Sequence, residues 1–379
     1  MKNKIKILFI IDHFHLTGGT EKHLNILTRN LNKDQFECSV MIFNMGSNPL
    51  LDQMKDSGIR LIHFPLARTY TPLAFFKAIR LAKILRSSNF DIIQTFHQKS
   101  DTFGAVIAKL TGVKHILSSK RDMGSLKKKW EFFLNRRLKF LFEKVIVVAD
   151  AVGNMVVEKE GFDRSRVITI YNGVDSDLFS PPSKQDKIRE RKTLGLSPED
   201  FVVGMVAGFR HEKSYDVFFE GALRSLKQIP PLKLLAVGTG VLQQHFIAWC
   251  TNNGLGSRVL FPGAVSDVWN YLKAMDVGCL IPSMNEGFSN SVLEKMAFGL
   301  PLIVTDVGGN AEAVHNLQNG IVISPNDVDA FAKAMEFLYF NSEKRIEMGK
   351  LSRQIVEQKF TLQRMCEQHN ALYNSVVSL

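Results

Sequence analysis

Residues 286–309 read EGFSNSVLEKMAFGLPLIVTDVGG, and this stretch decides the fold. Ahead of it, the apolar run 277–281 predicts a buried parallel strand. Residues 291–298 predict a short helix stopped by Gly299 and Pro301, and 301–307 predict the next strand. Two carboxylates, Glu286 and Glu294, stand on either side of a Gly-Phe-Ser-Asn turn. A carboxylate, a glycine turn and a helix start at the C-terminal edge of a parallel sheet form the usual crevice for a nucleotide. Backbone N–H groups of the turn and the helix N-terminus bind phosphates. Carboxylates accept hydrogen bonds from ribose or sugar hydroxyls. The combination points to a sugar nucleotide.

Working outward, strand-like runs alternate with helix-length stretches along the whole chain. They fall at 5–14, 37–43, 59–64, 91–96, 115–118, 145–148 and 167–170, then at 201–207, 233–237, 259–261, 277–281, 301–307 and 320–323. Such alternation predicts an α/β protein with parallel sheets covered by helices on both faces. Two series imply two Rossmann-like, doubly wound domains. The stretch 175–200, with Pro181, Pro182, Pro198 and many charges, reads as the linker. No repeat of 20–50 residues and no low-complexity segment is visible.

At 379 residues the chain suits two domains of about 180 residues. An apolar content of 45% fits a soluble globular protein. No apolar run reaches the ~20 residues of a spanning helix, and the start KNKIKILFIID reads as a charged lead-in to a strand, not an export signal. Cys38, Cys250, Cys279 and Cys366 are scattered without metal-ligand spacing, as expected of reduced cysteines in a cytosolic protein. The net charge of +11 favours an anionic partner: a membrane surface, a nucleotide or nucleic acid. No nucleic-acid-binding motif accompanies the charge.

The ordered string E-G-F-S-N, L-E-K-M-A, G-L-P-L-I-V-T-D and G-G closely resembles the donor-site signature of family 4 of the retaining, GT-B-fold glycosyltransferases. The resemblance continues along nearly the whole chain. It implies a GT-B fold whose two domains face a cleft, with an acceptor-binding domain at 1–178 and a donor-binding domain at 179–360. It also implies that the last helix, within 361–379, crosses back to the first domain. The expected reaction moves a hexose-type residue from a nucleotide diphosphate sugar, UDP- or GDP-linked, to a hydroxyl of a lipid-linked or polysaccharide acceptor. Lipopolysaccharide or capsule assembly at the inner membrane face would fit a cytoplasmic, peripheral enzyme. No metal and no cofactor are implied, and the leaving phosphate takes the acceptor's proton on the same face of the sugar. The donor-site segments carry no Asp-x-Asp at a strand end.

The resemblance distributes roles by residue. Glu294 holds the ribose, and Glu286 touches the donor sugar. Gly287, Phe288, Ser289 and Asn290 offer backbone to the phosphates. Val265, in FPGAVSD at 261–267, stands in the loop that meets the nucleobase. In GMVAGFRHEKSYD, at 204–216, Arg210 and Lys213 are two cations beyond a strand, suited to a departing diphosphate. Many family members carry an arginine at the position of Gly208, so its role is assigned to Arg210. Gly18 and Gly19, in GGTEKH, line the cleft by resemblance, although the pair serves equally as a plain tight turn. Glu21 and His23 follow on the helix.

In DIIQTFHQKS the family's histidine position falls on Phe96, with His97 adjacent. Neighbouring strand residues face opposite ways, so His97 serves the site only where the strand ends or bulges. Lys120 and Arg121 end the next strand, at a rim suited to an acidic acceptor or the diphosphate. The segment 125–144, SLKKKWEFFLNRRLKFLFEK, holds seven Lys or Arg against two Glu. Its apolar stripe Trp130, Leu134, Leu138, Leu141 and Val145 fits a core-facing helix, and its basic aromatic surface fits an anionic membrane. Three rivals remain at this point: a GT-B-type nucleotide-sugar epimerase, a dinucleotide oxidoreductase disfavoured by the absence of G-x-G-x-x-G, and a catalytically silent sugar-nucleotide-binding subunit.

Overall fold

The computed structural model describes residues 4–15, 18–46, 48–265 and 267–378, so Ser266 of the expected nucleobase loop lies outside the described residues. The chain forms two compact units, Met1–Tyr171 with Met365–Leu379, and Asn172–Arg364.

The first unit is built on a seven-stranded parallel sheet in the order β3-β2-β1-β4-β5-β6-β7. The strands are β1 Ile5–Phe14, β2 Phe36–Met45, β3 Arg60–His63, β4 Ile92–Phe96, β5 His115–Lys120, β6 Lys144–Val147 and β7 Val167–Thr169. Ile7, Leu8, Phe9, Ile10 and Ile11 of β1 are fully buried. That is why the central strand reads as an unbroken apolar run and not as an alternating one. Ile7 pairs with Cys38 on one side and Ile92 on the other. The order therefore reverses between β1 and β4, the usual place for a ligand crevice.

The second unit repeats the plan with six parallel strands in the order β10-β9-β8-β11-β12-β13. They are β8 Phe201–Val206, β9 Leu232–Val237, β10 Val259–Gly263, β11 Val277–Leu280, β12 Leu302–Thr305 and β13 Gly320–Ile323. Its reversal lies between β8 and β11, which pair through Val203 and Val277. A strand stands at each of the thirteen expected places.

The last helix, Leu362–Val377, carries the chain back to the first unit. Tyr373 is fully buried, edge-on to Phe9 and Phe36, and its hydroxyl donates to Gln94 Oε1 at 2.7 Å. The expected linker differs from the structure: 175–200 contains the helix Lys184–Thr193. Its charges pin it to the second sheet. Lys187 and Arg191 reach Asp276 at 2.7 and 2.6 Å, and Asp276 also accepts from the Val202 N–H that opens β8.

Candidate functional site

In the second unit the loops after β8 and β11 meet through charges and backbone. The turn His211–Lys213 follows β8, and Lys213 Nζ donates to Glu286 Oε2 at 2.6 Å. Both side chains are largely buried, at 13% and 14% exposure. The Ser283 N–H donates to the Glu212 carbonyl at 2.9 Å, tying the two loops together. Arg210 is arranged otherwise: its side chain is 60% exposed and pairs with Glu212 at 3.0 Å. A Cβ at Gly208 would meet nothing closer than 3.4 Å among the described residues, with the Thr239 carbonyl and the Arg210 side chain as its nearest neighbours.

Glycines set how closely these loops approach. Gly308, after β12, has φ +60°, and a Cβ there would lie 1.8 Å from the Glu286 carbonyl oxygen. The Gly309 N–H donates to the Gly287 carbonyl at 2.6 Å. The buried Phe288 ring packs on Phe360, and the Phe288 carbonyl accepts from Asn172 Nδ2 at 2.7 Å. The segment 286–288 is thus held from three sides. Sequence reasoning missed a second glycine device in V-G-T-G, at 237–240. A Cβ on Gly238 or Gly240 would lie 2.1 or 2.4 Å from the Ala207 or Phe209 carbonyl oxygen. Gly238 also donates to the Gly263 carbonyl at 2.9 Å, which anchors the loop running to Val265. The Val265 side chain packs half-buried on the core beside β8 and β9.

The helix Asn290–Ala297 starts at this edge. Ser289 stands at its N-cap in extended backbone and makes no side-chain capping bond. An uncapped helix N-terminus favours an anion. Asn290 and Glu294, one turn apart, share a partly exposed face. Ser291 Oγ donates to the Val206 carbonyl at 2.8 Å and so locks the helix start to β8. Lys295 is fully buried beneath, its ammonium donating to Ser291 Oγ and to the Ser291 carbonyl. Gly278 of β11 makes its room, because a Cβ there would lie 2.4 Å from Lys295 Cδ. Burial pushes Lys295 down to about 8, with Glu294 and Glu286 opposing.

In the first unit, β4 ends at Phe96, which faces the core. His97 follows with φ +73°, so the strand does end where the sequence required it to. The His97 ring stacks on His13 at 4.4 Å, and His13 lies 4.6 Å from His15. His13 Nδ1 stands 3.0 Å from Glu21 Oε1, which also accepts the His15 N–H. Glu21 folds over Gly18, where a Cβ would lie 1.9 Å from Glu21 Oε2, while a Cβ at Gly19 meets nothing within 4 Å among the described residues. Burial pushes His97 down to about 4, with His13 adding to it. His97 Nδ1 is buried without a hydrogen-bond partner among the described residues. Hence a neutral imidazole edge stands at the reversal between β1 and β4. His13 and His15 went unremarked in the sequence, although three histidines at strand ends were its signal. His23 is a core residue, buried against His369.

Lys120 does not stand at the rim expected for it. Its ammonium is buried between Asp101 and Glu160 at 2.7 and 3.0 Å. Burial opposes the Glu160 charge, but Lys120 and Lys127 outweigh it and bring Glu160 down to about 2. A cation so committed fixes the fold and is not available to a ligand. Arg121 is partly exposed beside it, pushed down to about 9 by burial and opposed by Glu21. In 125–144 the helix runs Lys129–Leu138, and Asn135 is its buried residue. The expected core stripe is therefore not one continuous face: Trp130 is exposed, whereas Leu141 and Val145 are buried beyond the helix.

Residues 17–178 match the profile of Glycosyltransferase Family 4, and residues 186–355 match that of Glycosyl transferases group 1. The chain is 30% identical over 320 residues to the UDP-Gal:alpha-D-GlcNAc-diphosphoundecaprenol alpha-1,3-galactosyltransferase of Escherichia coli, covering 80% of each protein. The chain belongs to family 4 of the GT-B glycosyltransferases. It is 31% identical over 172 residues to the lipopolysaccharide core biosynthesis mannosyltransferase LpsB of Rhizobium meliloti, a match covering 44% of this chain and 48% of that protein. The structure of Anabaena Alr3699/HepE in complex with UDP superposes with a TM-score of 0.87 at 21% identity, over 98% of this chain and 100% of that one. This glycosyltransferase thus has the GT-B architecture of two parallel-sheet units. Among the described residues, no helix is long and apolar enough to cross a membrane.

Proposed function

We propose that this glycosyltransferase transfers a hexose-type sugar, with retention, from a nucleotide diphosphate sugar to a hydroxyl of a lipid-linked or polysaccharide acceptor in cell-surface glycan synthesis. The observation that carries the reading is the Lys213–Glu286 pair, poised beside an uncapped helix N-terminus at the strand-order reversal of the second unit. The second unit binds the donor, UDP- or GDP-linked. The UDP-Gal in the name of the Escherichia coli relative and the UDP bound to HepE support UDP. Glu294 takes the ribose hydroxyls, and the backbone around Val265 and Gly208 takes the base side. Gly287, Phe288, Ser289 and Asn290 present N–H groups to the diphosphate.

The bond from the anomeric carbon to the phosphate oxygen breaks, and the bond to the acceptor oxygen forms on the same face. The acceptor's proton passes to the departing phosphate. Lys213, with Arg210 swung from Glu212, stabilises that leaving charge, and Glu286 steadies the oxocarbenium-like carbon. The first unit binds the acceptor, with neutral His97 as a hydrogen-bonding edge and Gly18, Gly19 and Arg121 around it. The charge stabilisation comes from side chains and the helix terminus, and the reaction is metal-independent. The enzyme works in the cytoplasm, on an acceptor presented at the inner membrane face, and 125–144 contacts the anionic lipid there. Within that segment Lys127 is held by Glu160, so Lys128, Lys129, Arg136 and Arg137 carry the contact.

The test is transfer from UDP- and GDP-hexoses to a GlcNAc-diphosphate-lipid, with the product examined by NMR. The expected product keeps the donor's α configuration, and activity survives excess chelator. A β linkage, or activity lost to chelator and restored by magnesium, would refute the mechanism. Donor turnover without any acceptor would point to an epimerase instead.

A further inference from the structure

The helix Pro72–Ser88 joins β3 to β4 and buries only Ala74, Leu81 and Leu85. Those three lie on one side, so the opposite face carries Phe76, Ile79, Lys83 and Arg86 in helical succession. Tyr70, Leu73, Phe75, Phe76 and Ile79 are each more than half exposed. Five large apolar side chains within ten residues make a patch that a soluble surface ordinarily covers.

The charge of the segment is one-sided. From 57 to 90 there is no Asp or Glu, against Arg60, Arg68, Lys77, Arg80, Lys83 and Arg86. Lys77 donates to the Pro65 carbonyl and Arg80 stands over the Phe64 ring, whereas Lys83 and Arg86 are exposed beside Ile79, Ala82 and Ser87 on the same helix. An aromatic half followed by a cationic half matches the acyl boundary and phosphate layer of an anionic bilayer. A second copy of this face would set cation against cation.

We propose that Pro72–Ser88 is a membrane-docking helix: Tyr70, Leu73, Phe75 and Phe76 enter the lipid interface, and Lys83 and Arg86 engage headgroup phosphates. This contact is additional to the one proposed for 125–144 and stands on different residues. The neighbouring helix Ala105–Leu110, with exposed Leu110, packs between it and the turn carrying exposed Phe140.

The experiment is co-sedimentation of the full chain with vesicles of phosphatidylcholine, with or without about one-third phosphatidylglycerol. The unmodified protein should bind only the anionic vesicles, and less so as salt rises. Lys83→Gln with Arg86→Gln should weaken partitioning by roughly 25-fold, about fivefold per charge. Phe75→Gln with Phe76→Gln should weaken it on the order of tenfold. All four positions are exposed, so the circular dichroism spectrum and Tm should stay unchanged. Full binding by both variants, with loss on Lys128→Gln and Lys129→Gln, would overturn this inference and leave the 125–144 contact standing. No binding by the unmodified protein would overturn both. A dimer in sedimentation velocity that Phe75→Gln with Phe76→Gln returns to monomer, without vesicle binding, would make the face a protein interface and also overturn it.

Discussion

Replacing Gly308 by alanine tests the geometry that holds Glu286. Gly308 sits at φ +60°, a conformation that costs an alanine roughly 1–2 kcal/mol. Its Cβ would lie 1.8 Å from the Glu286 carbonyl oxygen, where ordinary contact begins at 3.4 Å, so the 286–288 segment must retreat by about 1.6 Å. The neighbouring bond from Gly309 to Gly287, at 2.6 Å, breaks or stretches with it. Together these should cost ~2–4 kcal/mol of stability. A displacement of about 1 Å at reacting groups slows a reaction on the order of 10²-fold, or about 2.7 kcal/mol of barrier. The assay pairs urea unfolding with steady-state release of nucleoside diphosphate from the accepted donor. Gly19→Ala is the stability control, because a Cβ there meets nothing within 4 Å among the described residues, and it should stabilise by ~0.4–1 kcal/mol. If Gly308→Ala unfolds at the same urea concentration and keeps full kcat, close backbone approach does not hold Glu286 and the reasoning fails.

Three further outcomes are expected. Glu294→Ala should lower nucleotide affinity tenfold or more by calorimetry, since each charge-assisted hydrogen bond is worth ~1.5–3 kcal/mol, and unchanged affinity would remove Glu294 from the ribose. Lys213→Ala should cut kcat by ~10²-fold with little change in KM, and Arg210→Ala likewise if it leaves Glu212 for the diphosphate; full activity in Arg210→Ala would assign the missing arginine's role elsewhere. Lys295 has a folded-state pKa near 8, below its ordinary 10.5, so the unfolded chain binds more protons between those values and stability rises with pH across that window. Lys295→Met should therefore melt higher than the unmodified protein at pH 7, by up to ~3 kcal/mol, and the gap should close towards pH 10.5; a gap constant with pH would refute this.

The sheets were legible because parallel strands covered on both faces are written as unbroken apolar runs, as Ile7–Ile11 shows. The stretch 286–294 was legible as a whole string, since its glycine, its two carboxylates and the apolar runs on either side occur together in one order. What escaped was set by distant partners. The helix Lys184–Thr193 has no apolar face, and Asp276, far along the chain, holds it by ion pairs. Lys120 was placed correctly at a strand end, but Asp101 and Glu160 bury its charge, and neither is adjacent in sequence. His97 depended on one backbone angle. With φ +73° it leaves the strand and stacks on His13, and an extended residue there would have pointed away from its neighbour's face.

The Lys213–Glu286 pair bears on how a donor would enter. Two charges at 2.6 Å, both largely sheltered from water, have already lost most of their hydration. On the proposed function, a diphosphate arriving at the helix N-terminus would exchange one anionic partner of Lys213 for another and need not strip a fully hydrated ammonium. Glu286 would then be released from its cation. Gly308 and Gly309 fix the backbone of 286–287, so a carboxylate freed in this way would keep its backbone position. On this reasoning the ion pair and the glycines form one device. The pair keeps both charges sheltered, and the glycines would keep the Glu286 backbone in place if a donor's phosphates drew Lys213 away.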